Sequence, residues 1–299
     1  MTVETGAPTF AGVTQSDSGQ AATVLTGEVA PSTVLPGWST AVGRGVLRAA
    51  ATLRGLIAFA LITLGVLLGK AGSAHQLMRP MIRDEVDRCG MRLLPMFAFL
   101  SVALGLVVIG QTVSWLSRVG AIDFIGPVMV IAVVRELGPL IGAFVILSRV
   151  GTAHVVELGT ARAMGEVEAL EALAIDPIHY MVVPRVVGTM AGTFALTVYL
   201  ILGAMISGYA WVFIQDIPMR PEEYFRQITG ALTGMDFLLL GLKTLVFGFI
   251  MAIVTCFHGL ARPIRVEEVS RATVRAVTQS VVACVLIDAL FIVVYLALA

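Results

Sequence analysis

The sequence predicts an all-α fold of the polytopic membrane class, with an N-terminal interfacial helix followed by five transmembrane helices. Three observations predict it. Of the 299 residues 58% are hydrophobic and only 13% are charged, whereas a soluble domain carries about 25% charge. The mean hydropathy is +0.92. Apolar runs of 21 or more residues, uncharged or nearly so, recur five times, and a helix needs about 20 such residues to cross a hydrocarbon layer.

The elements follow in order. Residues 1–37 are rich in Thr, Ser, Gly, Ala and Pro, lack Lys and Arg, and show no apolar period; they read as a disordered tail. With no basic start and no apolar h-region, the tail is not a secretory signal. Residues 38–299 form one membrane domain. Its first helix, at about 44–70, holds an apolar run of fifteen residues between Arg54 and Lys70. That run is short for a span, and Arg44, Arg48 and Arg54 precede it at helical spacing. An interfacial helix with its arginines among anionic headgroups fits it, and a sixth, tilted span is the alternative. Five spans follow, at about 92–114, 124–148, 184–214, 236–258 and 275–298. Between the second and third spans lies a short acidic helix, at about 163–174.

Lys and Arg set the orientation. With the 149–185 loop in the cytoplasm, fifteen basic residues lie inside and three outside, namely Arg118, Arg220 and Arg226. The N-terminus is then cytoplasmic and the C-terminus external. A net charge of zero gives no global field to draw nucleic acid. Cys89, Cys256 and Cys284 are widely spaced and read as small buried hydrophobes. Small-xxx-small pairs at Gly65/Gly69, Gly138/Gly142 and Gly188/Gly192 would allow close helix packing.

The motifs exclude several chemistries. GVLLGKA (Gly65 to Ala71) has three residues between its glycines where a phosphate loop has four. It also places Ala71 where Ser or Thr must hold magnesium. Any ATP and Mg used here must therefore bind to another chain, and this chain is not itself an enzyme. His75, His154, His179 and His258 are scattered, so neither a metal site nor a catalytic set is predicted. Two features remain. In the acidic helix, Val167, Leu170 and Ala174 make an apolar stripe, Glu166, Glu168 and Glu171 flank it, and Asp176-Pro177 is expected to stop it. Held between two spans, such a helix suits docking into a soluble partner's groove; the plainer reading is a solvated loop helix. The other feature is intramembrane charge: Arg135, Glu136, Lys243 and Asp288. Each costs roughly 2.5–3.5 kcal/mol at mid-bilayer, so they cannot all face lipid. Arg135 and Glu136 point about 100° apart on a helix and need separate partners, while Lys243 and Asp288 could pair between the last two spans. Glu136 borders the bend that Pro139 should impose. A polar cavity lining is the functional reading, and interhelical packing pairs are the plainer one.

RELGPLIGAFVILSRVGTAHVVELG (Arg135 to Gly159), EVEALEALAIDPIHYMVVPRVVG (Glu166 to Gly188), KTLVFGFIMAIVTCFHGL (Lys243 to Leu260) and VSRATVRAVTQSVVACVLIDAL (Val269 to Leu290) together resemble the MlaE/YrbE permeases of Mla- and Mce-type lipid ABC transporters. The resemblance covers about residues 40–299. It implies an interfacial helix plus five spans, a homodimer or pseudo-dimer, cytoplasmic ATPase subunits that bind ATP and Mg, and an external MCE-domain lipid-binding protein. The substrate would be phospholipid or a related lipid, moved between the inner (cytoplasmic) membrane and that external protein. Arg135, Glu136 and Lys243 fall on positions bordering the family's lipid cavity. The 163–174 helix, with Glu166, Glu168, Leu170, Glu171, Asp176 and Pro177, falls on its ATPase coupling helix, and residues 216–234 fall on its short external helix. The rival readings are a membrane scaffold that recruits a soluble partner and an ion-coupled carrier using Glu136 and Asp288.

Overall fold

The computed structural model describes residues 38–69, 75–215, 220–260 and 266–298. The chain divides into two units, residues 1–51 and 52–299. The predicted tail, 1–37, lies outside the described residues, as do 216–219 of the predicted external segment.

Every regular element among the described residues is helical. Helix α1 is Trp38–Gly69, a continuous 32 residues. It is longer than the apolar run that suggested it, because Ala49 to Leu53 carry the helix through Arg54. The Ala50–Leu67 window has a mean hydropathy of 2.0, and a lone arginine can reach a headgroup along its apolar stem. Among the described residues six helices are therefore long and apolar enough to cross a membrane, one more than the five spans read from sequence.

Helix α2 (His75–Cys89) leads through a short 3-10 turn into α3 (Leu94–Leu104) and α4 (Gly110–Val119). Gly120, at φ +73°, ends α4 in a reversal where Gly120 N bonds Ser117 O and Ala121 N bonds Leu116 O. Glycine suits this left-handed position. The next helical stretch contains α5 (Ile125–Met129), α6 (Gly138–Ile146) and α7 (Thr152–Ala163). It runs well past the span expected to stop at 148. Helix α8 (Glu166–Ala172) precedes α9 (Val183–Ile214), α10 (Pro221–Ala231), α11 (Gly234–Leu260) and α12 (Val269–Leu298). Among the described residues four wider, π-helical segments interrupt the α-geometry, at Gly105–Ile109, Val130–Leu137, Leu147–Gly151 and Ile178–Val182.

Helix α9 is the centre of the packing, touching α2, α3, α6 and α11. Small residues let it come close. A Cβ at Gly138 or Gly142 would strike Ile201 or Thr197 of α9, and one at Gly188 or Gly192 would strike Glu85 or Cys89 of α2. Two of the three predicted glycine pairs thus sit at helix contacts, whereas Gly65 faces open space. Thr189 and Thr193 are buried on α9 with their hydroxyls donating to carbonyls four residues back, which satisfies them without a partner helix. Phe99, Val107, Phe213, Leu286 and Val293 stand exposed while Lys243, Asp236 and three α9 threonines are buried. This inside-out distribution belongs to a surface that meets lipid.

Candidate functional site: a charged cavity and a short acidic helix

The charged residues of three helices converge on a cavity of about 230 Å³. Arg135 and Glu136 come from the π-helical segment Val130–Leu137, Asp236 and Lys243 from α11, and Tyr295 from α12. Asp288 of α12 joins them through Lys243. The rest of the lining, including Leu239, Leu240, Phe291 and Ile292, is apolar.

Arg135 and Glu136 do not pair with each other. Arg135 Nε lies 2.8 Å from Asp236 Oδ1, a close ion pair without hydrogen-bond alignment. Its guanidinium carbon sits 4.1 Å from the centre of the Tyr295 ring, a cation–π contact worth more where water is excluded. Lys243 Nζ donates to Arg135 O at 2.7 Å and to Glu136 Oε2 at 3.2 Å. It also lies 2.7 Å from Asp288 Oδ1. The side chains differ in access: Asp236 and Lys243 are 1% and 5% exposed, Glu136 33%. Glu136 is therefore the charge most open to an occupant. Three carboxylates face two cations, so the cluster lacks one positive charge when all are ionised.

Two of these residues were missed in the sequence. Asp236 stands at the edge of an apolar run, where the sequence does not single it out. It serves two purposes: Oδ2 accepts the Thr233 amide and hydroxyl, both at 2.9 Å, holding the start of α11, while Oδ1 meets Arg135. The signal was Arg135 itself, which needed a carboxylate from another span. Tyr295 gave no signal within its apolar run.

The acidic helix is shorter than expected. Helix α8 covers Glu166–Ala172, against the 163–174 read from pattern. Gly165, at φ +80°, precedes it, and Ala174, at φ +58°, follows it. Ala174 N bonds Glu171 O and Ile175 N bonds Leu170 O, the same reversal that Gly120 makes after α4. The helix thus stops before Asp176-Pro177, which starts the next one: Asp176 Oδ1 accepts the Ile178 amide at 3.0 Å, an N-terminal cap. Val167 is buried beneath α8, Leu170 is half-buried, and Glu166, Glu168 and Glu171 are exposed. Ala174 is exposed beyond the helix, so the apolar stripe reduces to Val167 and Leu170. Glu168 Oε1 lies 3.3 Å from Arg162 Nε.

A polar brace joins α2, α7 and α9 near α8. Arg88 donates to both Glu157 oxygens, at 2.7 and 2.9 Å, and Arg185 donates to Glu157 at 3.1 Å. Glu85 Oε1 meets His154 Nε2 at 2.7 Å, and Cys89 Sγ lies 3.6 Å from the same oxygen. Glu85, Cys89 and His154 are the one described trio with metal-capable atoms within 4.8 Å of one another. A metal-bound imidazole ordinarily gives its second nitrogen to an acceptor, yet His154 Nδ1 is buried without one. The trio reads as a hydrogen-bonded strut.

The profile of the family described as Permease MlaE matches residues 82–294. This chain belongs to the MlaE permease family. The match takes in α8, Arg135, Glu136, Asp236, Lys243 and Asp288, but not α1. Among its relatives, a probable ABC transporter permease protein of Rickettsia prowazekii is 31% identical over 191 residues, 64% of this chain and 73% of the relative. A probable ABC transporter permease protein of Synechocystis is 35% identical over 169 residues, 55% of this chain and 62% of the relative. The chloroplastic protein TRIGALACTOSYLDIACYLGLYCEROL 1 of Arabidopsis thaliana is 28% identical over 214 residues, 69% of this chain and 58% of the relative. With its apolar spans, the MlaE-family chain is a multi-pass transmembrane permease subunit of an ABC transporter.

Proposed function

We propose that this permease moves phospholipid or a related lipid between the inner membrane and an external MCE-domain lipid carrier. Separate cytoplasmic ATPase subunits, which hold the ATP and Mg, drive it, and a second permease copy completes the assembly. The observation that carries the reading is the cavity: two cations and three carboxylates set among apolar helix faces, with Glu136 its most open charge. A lipid needs such a boundary, polar for its headgroup and continuous with apolar surface for its chains. A relative named for a galactolipid supports the substrate class. Helix α8, with Glu166, Glu168 and Glu171 exposed on a fixed stub, is the surface we assign to the ATPase. Nucleotide-driven closure of the ATPases would shift the balance between two arrangements of the bundle.

Reconstitution in liposomes tests this. Transfer of a fluorescent phospholipid to the acceptor should require ATP and the ATPase subunits. Flux from this chain alone without ATP would favour an ion-coupled carrier. Retention of a soluble partner with no lipid movement would favour a scaffold.

A further inference from the structure

The sharpest oddity of the cavity is a backbone oxygen held by a side chain from another helix. Lys243 Nζ lies 2.7 Å from Arg135 O, although that carbonyl sits inside a helical stretch, where an amide of its own chain would normally reach it. The cause lies four residues on. Pro139 is buried at the start of α6 and has no amide hydrogen. In the α-register residue 139 would serve Arg135 O; in the π-register before it, residue 139 would serve Val134 O. The last amide before the proline, Gly138 N, is used on Val133 O. In the α-register that α6 follows, Pro139 therefore supplies no amide to Arg135 O, and that carbonyl is the one Lys243 meets.

We propose that Pro139 is a positioning residue for the cavity: by withholding its amide it leaves the Arg135 carbonyl to anchor the Lys243 ammonium. The carbonyl belongs to the helix frame, whereas the other two acceptors, Glu136 and Asp288, ride on rotatable side chains. Anchoring the ammonium to the frame sets how far Lys243 reaches towards the cavity. It also lets Glu136, the longest contact at 3.2 Å, exchange Lys243 for an occupant without setting the cation adrift. The consequence for transport rests on the lipid-cavity reading above; the anchoring itself does not.

The test exploits composition. The chain has two lysines, Lys70 and Lys243, so reductive methylation of the purified permease, read by mass spectrometry, reports on Lys243 with Lys70 as internal reference. Pro139→Ala and Pro139→Gly both restore an amide donor. Each should raise the methylation rate of Lys243 relative to Lys70 by about tenfold, because the ammonium loses a charge-assisted acceptor. In the otherwise native permease, Pro139→Ala should lower lipid transfer in the same preparations in which it raises the Lys243 rate. An unchanged Lys243 rate in both variants overturns the proposal, and so does a change with alanine alone. Equal acceleration of both lysines shows a loosened fold and overturns it too. A raised Lys243 rate with undiminished lipid transfer upholds the anchoring and counts against the lipid-cavity reading instead.

Discussion

Glu136→Ala and Lys243→Met remove opposite ends of one ion pair, yet they should behave very differently. Lys243 is 5% exposed, and two carboxylates lie within 3.2 Å of its nitrogen. Replacing it with methionine keeps the bulk but leaves Glu136 and Asp288 facing each other without a cation, while the Arg135 carbonyl loses its donor. Breaking a buried pair by removing one partner costs about 3–5 kcal/mol, a large part of the stability of most folded proteins. Glu136→Ala takes away the longest of the three Lys243 contacts and the most exposed acid. Lys243 keeps Asp288 and the carbonyl, both at 2.7 Å, and the remaining charges balance two against two. The cost should be about 1 kcal/mol. Lipid transfer, in contrast, should fall about tenfold or more if Glu136 meets the occupant, since hydrogen bonds to charged groups contribute about 1.5–3 kcal/mol. Folded yield by gel filtration, thermal unfolding and lipid transfer should be measured on the same preparations. Glu136→Ala should keep near-normal yield with poor transfer, and Lys243→Met should lose both. If Glu136→Ala loses yield to the same degree as Lys243→Met, Glu136 is a packing partner and the reasoning fails.

Three other outcomes follow from the structure. Glu168→Lys with Glu171→Lys should abolish stimulation of lipid transfer by the ATPase while the permease stays folded, because exposed charge reversals cost within about ±0.5 kcal/mol but like charges across an interface cost several; normal ATPase binding by the double variant would remove α8 from that role. Ala174→Gly should raise stability by about 1 kcal/mol, since the left-handed position costs an L-residue roughly that much; a lower unfolding midpoint would refute the strain. The native cysteines are buried, so a membrane-impermeant thiol reagent applied to intact cells should label a cysteine placed at Arg220 and not one at Ala172; the reverse pattern inverts the topology.

What the sequence displayed and what it hid divide along physical lines. Long apolar runs are visible because a bilayer imposes length and composition at once. The charges within them were conspicuous because each is costly, and cost demands a partner; hence Arg135, Glu136, Lys243 and Asp288 stood out and the structure gathers them. Asp236 was hidden by its place at a run's edge, where a charge needs no excuse. The π-helical segments were hidden because one extra residue per turn leaves no periodic trace. The end of α8 was misplaced because Pro177 is a strong breaker signal, whereas the chain actually reverses at Ala174, a residue that gives no turn signal. The first helix reads as interfacial because Arg54 bounds its apolar run in the sequence, whereas the apolar window extends back to Ala50.

The two left-handed residues around α8 have a mechanical consequence. Gly165 fixes one end of the seven-residue helix and Ala174 the other, and the Asp176 cap locks the start of the following turn. Leu173 to Pro177, the five residues leading to the next helix, already have hydrogen bonds at both ends. Little slack is left between α7 and α9, so the connection is stiff. A load applied to α8 therefore meets a connection whose two ends are fixed, between α7, which carries Glu157, and the segment that leads to Arg185.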